Sequence, residues 1–326
     1  MISTRHYFAE HKATIAALVT SIAFFTLYIS KHQVGLTPDV AATAANKGVL
    51  LALVAMAQTL PVLTSGLDLS VGMIFVFANC LASLVCVGSP LETAVGVVIV
   101  LVAGLACGLL NGLIVVYGRL QPIITTLATG AIYYGLALVI RPVPGGDVNS
   151  DLADAVTGSL PGGIPASLVM LLAVVLIVWI PYRRSVLGRA AYAVGSSETA
   201  AFMSGVPIGK AKIVAYSLSG LLSAIAGLML TFITYSGEAS AAIGGTYTLN
   251  SIAAVVIGGT SLFGGSGSAV GSIFGAFVLR TIGDLLFVFD LEPFWQPLVQ
   301  GVILLAAVSL GAFRLLRLRN RLDIFT

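Results

Sequence analysis

Few side chains in this sequence are arranged for covalent chemistry. Gly205-Val206-Pro207-Ile208-Gly209-Lys210 comes nearest to a phosphate loop, but it is one residue short between its glycines, and Ala211 stands where a magnesium-holding Ser or Thr is needed. There is no HExxH and no GxSxG run. His6, His11 and His32 lie near the N-terminus, away from any cluster of acids. Cys80, Cys86 and Cys107 sit in apolar stretches without a CxxC pair, as small buried hydrophobes do. The sequence therefore predicts no enzyme, no catalytic residue, no metal site and no cofactor bound by this chain. What remains is binding chemistry, carried by Gln58, Thr59, Asp68, Ser70, Asn79, Asn111, Thr125, Thr126 and Asn250, all polar residues within apolar runs. Such groups either bond neighbouring helices or line a path for a polar solute.

The elements that must position them belong to a bilayer. With 58% apolar and 9% charged residues over 326 positions, too little polar surface is left to coat a water-soluble domain. About 20 apolar residues cross about 30 Å of hydrocarbon. On that measure the chain reads as an all-α polytopic membrane protein, a single transmembrane domain over 1–326. Ten spans are expected, at 13–30, 47–65, 69–88, 92–117, 121–140, 164–182, 211–235, 249–263, 268–289 and 296–313. The first is expected to be retained rather than cleaved as a signal peptide, because Ile29-Ser30-Lys31-His32 offers no small-residue cleavage site.

Ten spans put both termini on the same side. The 1–12 segment, the 183–212 loop and the 314–326 tail then hold Arg5, Lys12, Arg183, Arg184, Arg189, Lys210, Lys212, Arg314, Arg317, Arg319 and Arg321, and Arg119 joins them from a shorter loop. Only Lys31, Lys47 and Arg141 fall opposite, with Asp147, Asp151, Asp154, Asp290 and Glu292. Basic loops stay in the cytoplasm, so both ends are expected there. The net charge of +3 follows from this topology and implies no nucleic-acid partner.

Two places break the apolar pattern at membrane depth. The first, Gly66-Leu67-Asp68-Leu69-Ser70-Val71-Gly72, holds an acid that must face protein or water; Asp68 is expected chiefly as a helix cap, and otherwise as a solute contact. The second, Gly258-Gly259-Thr260-Ser261-Leu262-Phe263-Gly264-Gly265-Ser266-Gly267, predicts a reentrant hairpin or a tight turn, serving either close packing or the pathway. A third feature is the 183–212 loop. There Ser197 is a candidate N-cap and Glu198 suits the start of a helix that Gly205 and Pro207 stop. A short helix with Gly195, Ser197, Glu198, Ala200, Ala201, Ser204 and Gly205 suits docking into a groove on a soluble partner. The alternative is a turn lying on lipid headgroups.

The strings Ser65-Gly66-Leu67-Asp68-Leu69-Ser70-Val71-Gly72, Asn111-Gly112 and Gln121-Pro122-Ile123-Ile124-Thr125-Thr126-Leu127-Ala128-Thr129 resemble the ribose-type, monosaccharide permeases of bacterial ATP-binding-cassette importers, within the branched-chain amino acid/ribose permease superfamily. Gly188-Arg189, Ala193-Val194-Gly195, Ala200-Ala201, Ser204-Gly205, Ser251 to Leu262, Gly264-Gly265 and Gly271 continue the pattern in order, so the resemblance covers about 47 to 311. It implies a multi-pass inner-membrane subunit that imports a small sugar by alternating access. A paired permease, a cytoplasmic ATPase that holds ATP and magnesium, and a periplasmic sugar-binding protein would be its partners. The helix near 197–205 would be the coupling helix. The rival class is an ion-coupled secondary transporter of a small polar solute, which also uses broken helices and midplane acids.

Arg280 and Asp284 depart from the family pattern. One turn apart, they are expected to form a structural ion pair, or otherwise to line the pathway. Arg280→Ala should then lower folded yield, and adding Asp284→Ala should restore part of it.

Overall fold

The computed structural model describes residues 12–292, 294–303, 305–306 and 309. Helices α1 (Lys12–Lys31), α2 (Pro38–Leu63), α3 (Val71–Val85), α4 (Pro90–Tyr117), α5 (Pro122–Ile140) and α6 (Ser150–Thr157) lead to a minimal antiparallel pair, β1 (Ser159–Leu160) and β2 (Ile164–Pro165), with Leu160 opposite Ile164. There follow α7 (Ala166–Arg184), which widens into a π-helical turn over Val175–Trp179, and α8 (Val186–Ser196). The last are α9 (Glu198–Met203), α10 (Ile208–Thr234), α11 (Ala241–Ile257) and α12 (Ala269–Val288), with residues 295–303 largely helical.

Local signals set these boundaries. Pro38, Pro90 and Pro122 open α2, α4 and α5, where a missing N–H costs no helix bond. At the start of α4, Ser89 and Glu92 satisfy each other's backbone amides.

Among the described residues seven helices, α1, α2, α4, α5, α7, α10 and α12, are long and apolar enough to cross a bilayer, and the chain is a polytopic all-α membrane protein. The expected spans 69–88 and 249–263 are corrected. α3 has only 15 residues because 64–70 does not wind into a helix, and α11 has 17, running from the Ser240 cap to Gly258. The segment from Gly258 to Ser268 is a compact turn, with Ser261 N bonded to Ser266 O (3.1 Å) and Gly264 N to Ser261 O (3.1 Å). Of the expected span 296–313, residues 304, 307–308 and 310–313 lie outside the described residues, as do 1–11 and the 314–326 tail.

α2 is the axis of the molecule. Its residues from Gly48 to Leu63 are all buried, as an all-round apolar helix must be. α10, α11 and α12 pack around it, and α10 also lies against α3 and α4. The α4–α10 crossing is close because Gly104, Gly108 and Gly112 repeat every fourth residue. A Cβ on Gly108 would stand 2.2 Å from Tyr216 O, so only glycine admits this approach.

Candidate functional site

The 64–70 segment ends inside the helix bundle because α3, which follows it, is shorter than the neighbouring α4. α4 rises about 42 Å over 28 residues and α3 only about 22 Å over 15. The α3 start therefore meets α4 at Asn111, six residues or about 9 Å short of the α4 end. Here Asp68 is fully buried. Its Oδ1 accepts from Ser70 N (3.0 Å) and Ser70 Oγ (2.6 Å), and its Oδ2 from Ser219 Oγ of α10 (3.1 Å). Ser70 Oγ accepts in turn from Asn111 Nδ2 (2.8 Å), and Asn111 Oδ1 accepts from Tyr133 Oη of α5 (3.0 Å).

The backbone of this loop is held as firmly. Gln58 brackets Asp68, donating to its carbonyl (2.8 Å) and accepting from its amide (3.3 Å) in the amide orientation that satisfies both. Leu69 N donates to Thr126 Oγ1 (2.9 Å). Asp68 is not the cap itself: Ser70 occupies that position, and the Asp68 carboxylate makes an Asx-type turn onto its amide two residues on. The carboxylate thus ties α3 to α10, and through Ser70 and Asn111 to α4 and α5.

The other candidates separate. Asn79 lies higher on α3, its Nδ2 on Thr231 Oγ1 (2.9 Å) and Ser236 O (3.1 Å) and its Oδ1 accepting from Glu238 N (2.9 Å). It is a clamp on the α10–α11 turn. Thr125 is buried with its hydroxyl unpaired. Asn250, in α11, faces a cavity of about 250 Å³ with Thr246, Tyr247, Arg280, Gln296 and Gln300. Arg280 Nη2 lies 3.4 Å from Asp284 Oδ1, and Lys47 Nζ of α2 lies 3.3 Å from the same oxygen. Asp284 therefore contacts two cations, Lys47 as well as the Arg280 with which it was expected to pair. Among the described residues no group of three His, Cys, Asp or Glu could hold a metal.

At the other functional region, Ser197 Oγ accepts from Ala200 N (3.3 Å) and starts α9, which ends before Gly205 at φ 72°. Glu198 is tied back to Lys212 at 2.8 Å. Ser197, Glu198, Ala200, Ser204 and Gly205 are exposed, but Ala201 is buried and Gly195 is wedged into the protein. A Cβ on Gly195 would stand 2.0 Å from Leu63 O and 2.3 Å from Gly265 N, so Gly195 is corrected from surface to joint, and Ala201 from surface to buried. Ser65 Oγ completes the joint, within bonding range of Gly195 O (3.0 Å) and Phe263 O (2.7 Å). Sequence reasoning missed Ser65, Ser219 and Tyr133, whose partners lie far along the chain. It also missed Phe202 and Met203, 75% and 82% exposed, although two large apolar residues at the end of a short polar-flanked helix are a visible signal.

A family described as the branched-chain amino acid transport system / permease component matches residues 40–308. The chain is 35% identical to the ribose import permease protein of Escherichia coli (strain K12) over 317 residues, 94% of this chain and 96% of that one. It is 36% identical to the ribose import permease protein of Bacillus subtilis (strain 168), over 79% and 80% of the two chains. It is 34% identical to the D-allose transport system permease protein of Escherichia coli (strain K12), over 79% and 78%. No solved structure matches the chain.

Proposed function

The chain belongs to the branched-chain amino acid transport system / permease component family, and from that premise we propose that it is the membrane-spanning subunit of an ATP-binding-cassette importer carrying a monosaccharide inward. ATP is hydrolysed on a separate cytoplasmic ATPase, a periplasmic sugar-binding protein delivers the solute, and a second permease copy or a sister chain completes the pathway. The setting is the bacterial inner membrane, with the α8–α10 end in the cytoplasm, as the positive charge of Arg183, Arg184 and Arg189 favours.

The observation that supports coupling is the build of α9. It offers exposed Phe202 and Met203 beside Glu198, while the end of α8 just before it joins the turns 64–66 and 263–265 through Gly195 and Ser65. A helix of six residues has no stability of its own, so its position follows that joint. A partner that grips Phe202 and Met203 would thereby move the loop that carries Asp68. This is a route from ATP-driven closure to alternating access, with the solute path opening first to one side and then to the other.

The test is ATP hydrolysis by the permease reconstituted with its ATPase and loaded binding protein, comparing the wild type with Phe202→Asp. Stimulation by the loaded receptor is expected in the wild type and loss of it in the variant, whose thermal unfolding should be unchanged because Phe202 is 75% exposed. Sugar uptake that follows an ion gradient with no ATPase present would overturn the reading.

A further inference from the structure

We propose that the cavity between α11, α12 and helical residues 295–303 is the monosaccharide site of the permease itself, an assignment that rests on the importer reading above. Three elements aim uncharged hydrogen-bonding groups and one guanidinium into it: Thr246 and Asn250 from α11, Arg280 from α12, and Gln296 and Gln300 from the last helix. Thr246 and Asn250 are one helical turn apart, as are Gln296 and Gln300, so each pair shares a face. Tyr247 adds a wall whose ring is fixed against Phe75, with centroids 4.7 Å apart.

These groups are incompletely satisfied by one another. Asn250 Nδ2 reaches Gln300 Oε1 only at 3.4 Å, and Arg280 Nε is buried with no partner. Idle donors inside a membrane protein are costly unless water or a ligand takes them up. An amide presents a donor and an acceptor together, as a sugar hydroxyl does, and a guanidinium fork spans two neighbouring hydroxyls. The volume, about 250 Å³, lies near the lower end of ligand pockets and suits one ring of roughly ten to twelve non-hydrogen atoms. Asn250 lies about 13 Å along α11 from Ala241, and Arg280 about 16 Å along α12 from Ala269, so the site is at mid-depth.

The two other sizeable cavities have different chemistry. One of about 340 Å³ between α1, α2, α7 and α12 is walled largely by Ile22, Phe25, Leu36 and Phe277, with Arg280 and Asp284 together at one side, and its mainly apolar wall suits hydrocarbon better than a polyol. Another of about 600 Å³ at the α7–α8 end carries Arg183, Arg184 and Arg189, and suits an anion rather than a neutral polyol.

The experiment is uptake of radiolabelled ribose, allose or fructose, whichever the wild type imports, into proteoliposomes holding the permease, its ATPase and the loaded binding protein. Asn250→Leu and Gln300→Leu are expected to lower uptake about tenfold, the loss of one good polar contact, with receptor-stimulated ATP hydrolysis kept within about twofold. Thr246→Val, a smaller change, should lower uptake less. Unchanged uptake in both leucine variants overturns the site. So does a parallel fall of uptake and ATP hydrolysis, because that marks a packing role. A wild type that imports none of the three sugars with ATP present would overturn the importer reading, and the site with it.

Discussion

Polar groups at membrane depth are treated in opposite ways in two regions of this molecule. Around Asp68, a charged side chain is fully buried, yet each carboxylate oxygen accepts a hydrogen bond and the loop amides are held by Gln58 and Thr126. Around Asn250 and Arg280 the side chains are more numerous, but they are joined by one long contact, and one guanidinium nitrogen is idle. The first region uses polarity to fix backbone that is not helical; the second keeps polarity in reserve around a space. Polarity inside a membrane protein therefore marks function poorly until the bonding of each group is known. A saturated acid is a rivet and an unsaturated amide is a receptor.

The sharpest way to break this contrast is at Asp68. Asp68→Ala would leave Ser70 N, Ser70 Oγ and Ser219 Oγ without their acceptor, a loss of about 3 kcal/mol. Asp68→Asn keeps one carbonyl acceptor and should lose about half as much. Thermal unfolding of the purified variants in detergent measures both. A stable Asp68→Ala protein that merely fails to transport would reverse the assignment and make Asp68 a pathway residue.

How much of this was legible beforehand depended on sequence distance. The apolar runs showed the all-α membrane fold, because about 20 consecutive apolar residues have few other uses. The Gly66 to Gly72 break was visible too, since glycine and an acid at that depth cannot be lipid-facing helix. Which groups satisfy Asp68 was not visible, because Ser219 lies 151 residues away and an ordinary serine on α10 carries no mark. The α11 boundary was misplaced for a related reason. Gly244 and Gly245 look like a break ahead of the expected start at 249, but Gly244 is helical and packs where a side chain would press on Met73 and Gly72. Gly195 misled in the opposite direction, its motif position suggesting surface where the fold requires a joint.

The contrast is sharpened by the group that borders both arrangements. Arg280 gives one nitrogen to Asp284 and leaves another idle beside the cavity, while Lys47 offers Asp284 a second cation. Asp284 is the least exposed of the three, at 12% against 28% and 44%. Asp284→Ala should therefore cost more, about 1–2 kcal/mol, than Arg280→Ala or Lys47→Ala, each under about 1 kcal/mol. Adding Arg280→Ala to Asp284→Ala should recover part of the loss, because it removes one of two uncompensated cations. Equal unfolding temperatures for the three single variants would show that the carboxylate is not the hub.

The smallest expected effect is at Tyr216, whose loose hydroxyl lies near the saturated region. Its ring is buried under Gly66, where an added Cβ would stand 2.5 Å from Oη, and Oη has no hydrogen-bond partner. Tyr216→Phe should leave stability unchanged or raise it by up to about 1 kcal/mol, because an unpaired buried hydroxyl contributes only its desolvation cost. Tyr133→Phe is the matched control. It removes a hydroxyl bonded to Cys107 O (2.9 Å) and Asn111 Oδ1 (3.0 Å), and should cost roughly the 0.6 kcal/mol of an average interhelical bond. The two variants delete the same atom from the same residue type, so their difference isolates the bonding. If Tyr216→Phe instead destabilised the protein as much as Tyr133→Phe, a water or solute would have to reach the Tyr216 hydroxyl, and the Asp68 region would be an open site like the one around Asn250.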